Sequence, residues 1–494
     1  MPKAWICATV TGDTTAELRA HRDAQTEADL VELRLDTVNR PDVAAAIAGR
    51  RAPVVVTCRP TREGGHFDGS ETERESILFE AAARGAEYID VEHDAPFANR
   101  LIRSRRGHGV VLSYHAFDRR PDDLAKRYRA MRATGAEVVK VAVAVSSLTD
   151  ALRVTATGNP RNEEDGGRRV LVAMGAAGIP SRLLAGRFGS CWTYAGDGVA
   201  PGQVDLKRMR NQFRAGEVTS RTAVYGVLGA PIGHSVSPAM HNAGFRALGM
   251  DAIYLPLEAE STDDFAAFAR SADLRGASIT APFKETVAES TSVRDDVSSA
   301  VGAVNTLRIV DGRWIGCNTD VAGFLAPLAG RLRLADARAT VLGAGGAARA
   351  AAYALRQAGA IVTVCARRPK RAAEVARATG VASAPLPPGR GSWDLLVNTT
   401  PVGTFPDVEA SPLPDGPFDG QIVYDMVYNP TTTRLLADAA SAGCETIGGL
   451  AMLVAQAEEQ FAWWTGKRPP GGLFRAAAER DLARQATGTD GAAT

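Results

Sequence analysis

The sequence predicts an α/β protein in two successive parts: a (β/α)8 TIM barrel, then a two-lobed α/β unit containing a Rossmann nucleotide domain. Three observations carry this reading. From the start to about Arg210, eight short apolar runs alternate with Ala-, Arg- and Glu-rich helical stretches. A second series of runs follows the short polar stretch Arg214–Ser220, which reads as a domain joint. Within that series Val341-Leu342 ends in Gly343-Ala344-Gly345-Gly346-Ala347-Ala348, and an Ala-rich helical stretch comes next. The 494 residues can bury ample core.

Composition excludes several classes of partner. Lys and Arg number 57 against 56 acidic residues, so no global field attracts nucleic acid or an anionic membrane. No segment is long and apolar enough to span a bilayer, and Met1–Trp5 leads into a strand-like run without a signal-peptide profile. The six cysteines are scattered with no CxxC, as packed, reduced thiols of a cytoplasmic protein would be. No metal-ligand spacing is present, and homo-oligomerisation is left open.

Only Lys3, Lys126, Lys140, Lys207, Lys284, Lys370 and Lys467 are lysines; the other 50 of the 57 basic residues are Arg. In so Arg-biased a chain, a Lys inside an apolar segment needs a reason, because Lys can lose its proton and Arg cannot. Lys140 and Lys284 sit in such places.

The first-half runs are Trp5–Val10, Asp29–Leu35, Pro53–Cys58, Glu87–Val91, Gly109–Tyr114, Val138–Val143, Arg169–Met174 and Ser190–Tyr194. A doubly wound open sheet is the alternative, and the count of eight favours the barrel. Barrel chemistry lies at the C-terminal strand ends. There stand Glu32 and Arg34, then Arg59 followed by Glu63, Asp90-Val91-Glu92, Ser113-Tyr114-His115, Lys140, Ser181-Arg182 and Ala200-Pro201-Gly202-Gln203. Alone, Lys140 reads as a snorkelling or salt-bridged lysine and His115 as a hydrogen-bonded core histidine. One strand apart, the two describe a Schiff-base elimination, with the amine forming an imine and the imidazole taking the adjacent proton.

Val31–Asp36, Cys58–Gly65, Ser113–Phe117, Val139–Ala142, Ser181–Leu183 and Ala200–Gln203 resemble type I 3-dehydroquinate dehydratase over nearly the whole first half. The resemblance implies that Lys140 forms the imine with the substrate ketone. It implies that His115 removes the α-proton and protonates the departing hydroxyl, with Glu63 assisting. Arg182 would hold the ring carboxylate, and Glu32, Arg34, Arg59 and Gln203 the hydroxyls. Two positions depart from the family pattern: Ala116 where an Asp often follows the His, and Val199 where some members carry a hydroxyl residue.

In the second half, Val224–Gly229 reads as a strand, and Ser235-Val236-Ser237-Pro238 opens a helix. The serines read as helix caps or as hydroxyls holding a carboxylate. Gly276–Ile279 is a strand running into Thr280-Ala281-Pro282-Phe283-Lys284; Asn305 and Asp320 follow, and the plain reading of Asp320 is an N-cap. Gly343, Gly345 and Ala348 occupy the fixed places of the dinucleotide fingerprint, and the Ala-rich helical stretch Ala350–Gln357 follows. At the end of the next strand stand Arg367 and Arg368, two guanidiniums suited to a 2′-phosphate, which points to NADP rather than NAD. The strand ends at Asn398-Thr399 and Met426 are turns of the kind that face such a cofactor, and Gly448-Gly449 begins a long helix.

Ser235–Pro238, Ser278–Lys284, Gly302–Thr306, Asn318–Asp320, Asn398–Pro401 and Gly448–Gln456 resemble shikimate dehydrogenase along almost its full length. The resemblance implies a proton-donating Lys284–Asp320 pair and a ring carboxylate on Ser235 and Ser237. It implies hydroxyl contacts from Thr280, Asn305, Asp320 and Gln456. Gly343, Gly345, Gly346, Ala347, Arg367, Arg368, Asn398, Thr399, Met426 and Gly449 would bind NADP. The expected domains are 1–214 for the barrel, 222–323 with 448–485 for substrate, and 324–447 for NADP; the tail after about Gln485 reads as disordered.

The two halves make chemical sense in one order, as a bifunctional enzyme that turns 3-dehydroquinate into 3-dehydroshikimate and then reduces it to shikimate. Two alternatives remain: a quinate or quinate/shikimate dehydrogenase in the second half, or a catalytically silent ligand sensor. A sensor should have lost a catalytic residue, whereas Lys140, His115, Lys284 and Asp320 are all present.

Overall fold

A computed structural model of the chain describes residues 3–158, 167–196 and 201–487. Val199, Ala200 and tail residues 488–494 lie outside the described residues; Ala486 ends the helix Leu473–Ala486. The chain divides into two compact units, one drawn from Met1–Pro238, Asp251–Leu274 and Gln485–Thr494, the other from Ala239–Met250 and Arg275–Arg484. No helix among the described residues is long and apolar enough to cross a membrane.

The first unit contains all eight expected strands: β1 (Trp5–Val10), β2 (Leu30–Arg34), β3 (Val54–Thr57), β4 (Tyr88–Glu92), β5 (Val110–Ala116), β6 (Val138–Ala144), β7 (Arg168–Met174) and β8 (Trp192–Ala195). They run parallel in the order β7-β6-β5-β4-β3-β2-β1-β8. The ring closes where Cys191 N donates to Arg169 O at 2.8 Å and Leu171 N to Ser190 Oγ at 3.1 Å. Being covered on both faces, the strands read as near-continuous apolar runs. Outward residues such as Val54, Val56, Leu112 and Val139 pack under the helices. The helix Glu71–Ala83 shows how those helices start, with a reciprocal capping box between Ser70 and Glu73.

The same unit includes β9 (Ala223–Gly229) and β10 (Ala252–Glu258), paired in parallel, and the helix Thr262–Ser271. Its buried Asp264 accepts hydrogen bonds from Leu148 N at 3.0 Å, Thr149 N at 2.7 Å and Thr149 Oγ1 at 2.6 Å. A second-half carboxylate therefore satisfies free donors at the start of the barrel helix Leu148–Thr155. The polar joint is tied down too, since Arg187 Nη1 donates to Ser220 O at 2.9 Å.

In the second unit lie β11 (Leu274–Ile279), β12 (Val293–Arg294), β13 (Thr306–Val310) and β14 (Arg313–Cys317), with β13 antiparallel to both β11 and β14. A second sheet contains β15 (Arg338–Leu342), β16 (Ile361–Cys365), β17 (Ala382–Ala384), β18 (Leu395–Asn398), β19 (Ile422–Asp425) and β20 (Glu445–Ile447). It is wholly parallel in the order β17-β16-β15-β18-β19-β20, the doubly wound order that reverses direction at β15. The helix Gly346–Gln357 buries Ala348, Ala350, Ala351, Ala352, Ala354 and Leu355; small side chains let its axis lie close to the strands.

Candidate active sites

Strand alternation builds the barrel site. Cys7, Leu30, Val55, Tyr88, Val111, Val138, Val170 and Trp192, one per strand, form an apolar layer inside the barrel. Two residues further along each strand the same face carries Thr9, Glu32, Thr57, Asp90, Ser113, Lys140, Val172 and Tyr194. Because all strands are parallel, this polar layer collects at the C-terminal end. A further step of two gives Arg34, Arg59, Glu92, His115, Ala142 and Met174. Above them is a cavity, lined also by Glu63, Phe117, Arg182 and Gln203.

Lys140 is buried, with Nζ 2.9 Å from Asp90 Oδ2 and 3.4 Å from Glu32 Oε1, over the Tyr194 ring. Both carboxylates are fixed from behind. Glu32 accepts from Thr9 Oγ1 at 3.0 Å and Thr57 Oγ1 at 2.9 Å, and Asp90 from Ser113 Oγ at 2.6 Å and Arg59 Nη2 at 2.8 Å. Arg59 Nη1 donates to Glu92 at 2.7 Å, and Arg74 closes the network on the far side of Glu92. Burial alone would raise the Asp90 carboxyl; Arg59 and Lys140 outweigh it and hold it below the ordinary carboxylate range.

His115 Nδ1 and Glu63 Oε2 share a hydrogen bond at 2.9 Å. Burial, then the Arg59 and Lys140 charges, push the imidazole well below its usual value, so it is neutral at neutral pH. Burial pushes the Glu63 carboxyl up to about 8. The three arginines lining the cavity differ. Arg34 is held two-pronged by Asp36 at 2.9 and 2.7 Å, and Arg59 is saturated with acids. Among the described residues, Arg182 donates to Pro201 O alone, at 3.2 Å, and its buried Nε meets no acceptor there. Burial lowers this guanidinium to about 10. A buried arginine with no carboxylate partner among the described residues suits an anionic substrate group.

In the second unit, Lys284 Nζ lies 2.6 Å from Asp320 Oδ2. Asp320 is the first residue of the helix Asp320–Leu325, and its side chain makes no cap. The plain N-cap reading therefore fails, because Asp320 Oδ1 is taken instead by Asn305 Nδ2 at 2.7 Å. Asn305 is clamped by Thr319 N at 2.8 Å and Thr306 Oγ1 at 2.8 Å, and its carbonyl accepts from Gln460 Nε2 at 3.2 Å. Gln456 lies one turn before Gln460, and its Nε2 donates to Leu453 O at 2.9 Å. Thr280 is half-buried just after β11. In the first unit, Ser235 Oγ accepts from Ser237 N at 3.3 Å, a bond within the turn that leads into the helix Ser237–Ala247.

Gly323 permits a close approach of two helices in this site. A Cβ there would stand 2.6 Å from Gln456 Cβ and 2.8 Å from Gln456 N. Gly323→Ala must therefore separate the backbones carrying Asp320 and Gln456. We expect a loss of about tenfold in dehydrogenase kcat/KM and of about 1–3 kcal/mol in stability, measured by steady-state kinetics and urea unfolding.

The nucleotide fingerprint sits at the switch point of the parallel sheet. Gly343 has φ +125°, and a Cβ would lie 2.3 Å from Thr399 Oγ1, so only glycine fits where β15 and β18 end side by side. Gly345 precedes the helix, and a Cβ on Gly345 or Gly346 would meet open space, leaving a cradle before the free amides of Gly346, Ala347 and Ala348. Thr399 Oγ1 donates to Leu342 O at 2.7 Å, and Asn398 Nδ2 to Asp425 Oδ1 at 2.9 Å. Asp425 is buried, which raises its carboxyl, and it also accepts from Thr433 Oγ1 at 2.6 Å. Met426 N donates to Asn398 O at 3.0 Å, and Gly449 N to Val427 O at 3.2 Å. Arg367 and Arg368 are exposed just beyond β16. This arrangement fits a dinucleotide whose phosphates meet the helix start.

Sequence reading did not assign roles to Asp90, Glu92, Ser113, Arg74 and Tyr194 in the barrel, or to Gln460, Asp425 and Thr433 in the second half. For Asp90 and Glu92 a signal existed: polar residues two apart on one apolar strand must share its inner face.

A barrel that ends in a lysine held between carboxylates, in one chain with a lysine–aspartate pair and a nucleotide sheet, has the layout of a barrel lyase fused to a nucleotide-dependent dehydrogenase. Family models agree in order: type I 3-dehydroquinase matches residues 6–219, the shikimate dehydrogenase substrate binding domain 227–307, and the shikimate 5'-dehydrogenase C-terminal domain 449–479. The chloroplastic bifunctional 3-dehydroquinate dehydratase/shikimate dehydrogenase of Arabidopsis thaliana is 33% identical over 509 residues, covering 95% of this chain and 83% of that protein. Shikimate dehydrogenase (NADP(+)) of Moorella thermoacetica is 43% identical over 271 residues, covering 51% of this chain and 92% of that protein. Among solved structures, shikimate 5-dehydrogenase of Thermus thermophilus in complex with NADP(H) and shikimate is 39% identical, covers 52% of this chain and 99% of its own, and aligns with a TM-score of 0.49. The chain belongs to the family of bifunctional 3-dehydroquinate dehydratases/shikimate dehydrogenases.

Proposed function

We propose the following division of labour among the residues of this chain. In the barrel, Lys140 condenses with the ketone of 3-dehydroquinate and water leaves, forming a protonated imine that acidifies the adjacent C–H. His115 takes that proton and returns it to the β-hydroxyl as it departs, and hydrolysis frees 3-dehydroshikimate. Glu63 orients the imidazole. Arg182 holds the ring carboxylate, while Glu32, Arg34, Arg59 and Gln203 bind hydroxyls. The observation that carries this reading is the placement of Lys140, Asp90 and Glu32 under one cavity with the neutral His115.

The second half reduces 3-dehydroshikimate to shikimate. Lys284, held by Asp320, gives a proton to the carbonyl oxygen; Ser235 and Ser237 take the carboxylate, and Thr280, Asn305, Asp320 and Gln456 the hydroxyls. NADPH supplies the hydride when bound. Gly343, Gly345, Gly346, Ala347, Asn398, Thr399, Met426 and Gly449 hold it, with Arg367 and Arg368 on the 2′-phosphate. The domains follow the bounds 1–214, 222–323 with 448–485, and 324–447. Small molecules are the partners, and six unpaired cysteines are in keeping with the cytoplasm.

The Glu63–His115 pair sets a pH dependence. Below about 8 Glu63 is a neutral acid; above that value it is a carboxylate, which fixes the proton on His115 Nδ1 and leaves Nε2 free as base. Dehydratase kcat/KM should therefore climb as pH rises through about 8, and Glu63→Gln should flatten that climb. A profile unchanged in the variant would remove Glu63 from this role.

A further inference from the structure

We propose that Tyr194 is a further catalytic residue of the dehydratase, its ring face stabilising the positive charge on the Lys140 nitrogen. This rests on Lys140 being the imine-forming lysine.

Tyr194 lies two residues beyond Trp192 on β8, so it points into the barrel in the polar layer. Lys140 Nζ stands 4.3 Å from the centroid of its ring. The side chain is buried in the apolar cluster that contains Cys7, Val172, Met174 and Trp192, and Lys140 is buried as well. A desolvated ammonium over an aromatic face is the stronger kind of cation–π contact.

The chemistry gives that contact a purpose the carboxylates cannot fill alone. As an ammonium, Lys140 donates one hydrogen to Asp90 and one to Glu32. When the carbinolamine expels its hydroxyl as water, with the proton the ammonium gave up before attack, the nitrogen lone pair becomes the C=N π bond. The nitrogen is then positive and keeps one hydrogen, so it can donate to only one carboxylate. The ring face responds to the charge, not to an N–H, and persists through this change. Loss of the α-proton to His115 makes a neutral enamine. The enamine lone pair then re-forms C=N as the β-hydroxyl leaves as water with the His115 proton, and the positive charge returns. Tyr194 thus favours the two steps that create charge on nitrogen: imine formation and departure of the hydroxyl.

The test uses the full-length protein. Tyr194→Phe, which keeps the ring, should retain most of the dehydratase kcat. Tyr194→Leu should lose about tenfold in kcat with KM little changed. Borohydride reduction at saturating 3-dehydroquinate, read by intact mass, should trap a smaller fraction of the Leu variant as Lys140 adduct. Dehydrogenase activity and the thermal midpoint report whether the variants fold. Phenylalanines of increasing fluorination at 194 alter ring charge with little change of size, and log kcat should fall steadily with fluorine count. Equal kcat and trapping in Tyr194→Leu, a flat fluorination series, or an equal loss in Tyr194→Phe would overturn the proposal. Absence of any adduct in the parent protein would instead overturn the imine reading beneath it.

Discussion

Replacing Lys140 by Ala is expected to lower dehydratase turnover by at least on the order of 10³-fold while leaving reduction of added 3-dehydroshikimate at the parental rate. The size follows from the chemistry: without an amine the ketone remains a ketone, its α-proton stays weakly acidic, and His115 has no iminium to work on. Lys140→Arg should fail equally, because a guanidinium keeps its proton and cannot attack a carbonyl. The stability cost should be moderate. Asp90 retains Arg59 and Ser113, and Glu32 retains Thr9 and Thr57, so neither carboxylate is stranded. Rates on the two substrates with one preparation of each variant check this. Loss of both activities together would mean that the substitution had damaged the fold.

Lys284→Ala is the complementary case. Lys284 Nζ lies 2.6 Å from Asp320 Oδ2, and under the proposed division of labour it is the group that protonates the developing alkoxide. Removing it should cut dehydrogenase kcat by about 10²–10⁴-fold. Binding is spread over other residues, so KM should change little and kcat/KM should fall in step with kcat. Conversion of 3-dehydroquinate should continue at the parental rate and stop at the ketone, which accumulates. A variant that raises KM while keeping kcat would make Lys284 a binding group, not the proton donor.

Much of both sites could be read in the sequence because it rests on local periods. Alternation by two along β6 and β5 puts Lys140 and His115 on the inner face, and the glycine spacing after β15 marks the nucleotide turn. What escaped depends on pairings across the chain. Asp90 and Glu92 stand out as polar residues on an apolar strand, but the partner of Asp90, Lys140, is 50 residues away. Gln460 reaches Asn305 across 155 residues, and nothing in the helix Gly449–Thr465 distinguishes it from an ordinary buried amide. Asp320 shows the opposite failing. Its position at a helix start suggests a cap, and the local rule loses to two long-range partners, Lys284 and Asn305. The Ala-rich run predicts a helix from Ala350 after the fingerprint, whereas the helix starts at Gly346. Glycines at a helix start lower propensity, yet here they leave its first amides open to a phosphate.

The central claim is that one chain performs both reactions in sequence. The most direct measurement follows NADPH absorbance after adding 3-dehydroquinate, as the sole carbon substrate, to the intact protein. The account predicts NADPH consumption after a short lag, none with Lys140→Ala until 3-dehydroshikimate is supplied, and none with Lys284→Ala although the ketone appears. An intact protein that oxidises NADPH with 3-dehydroshikimate but never with 3-dehydroquinate would contradict it.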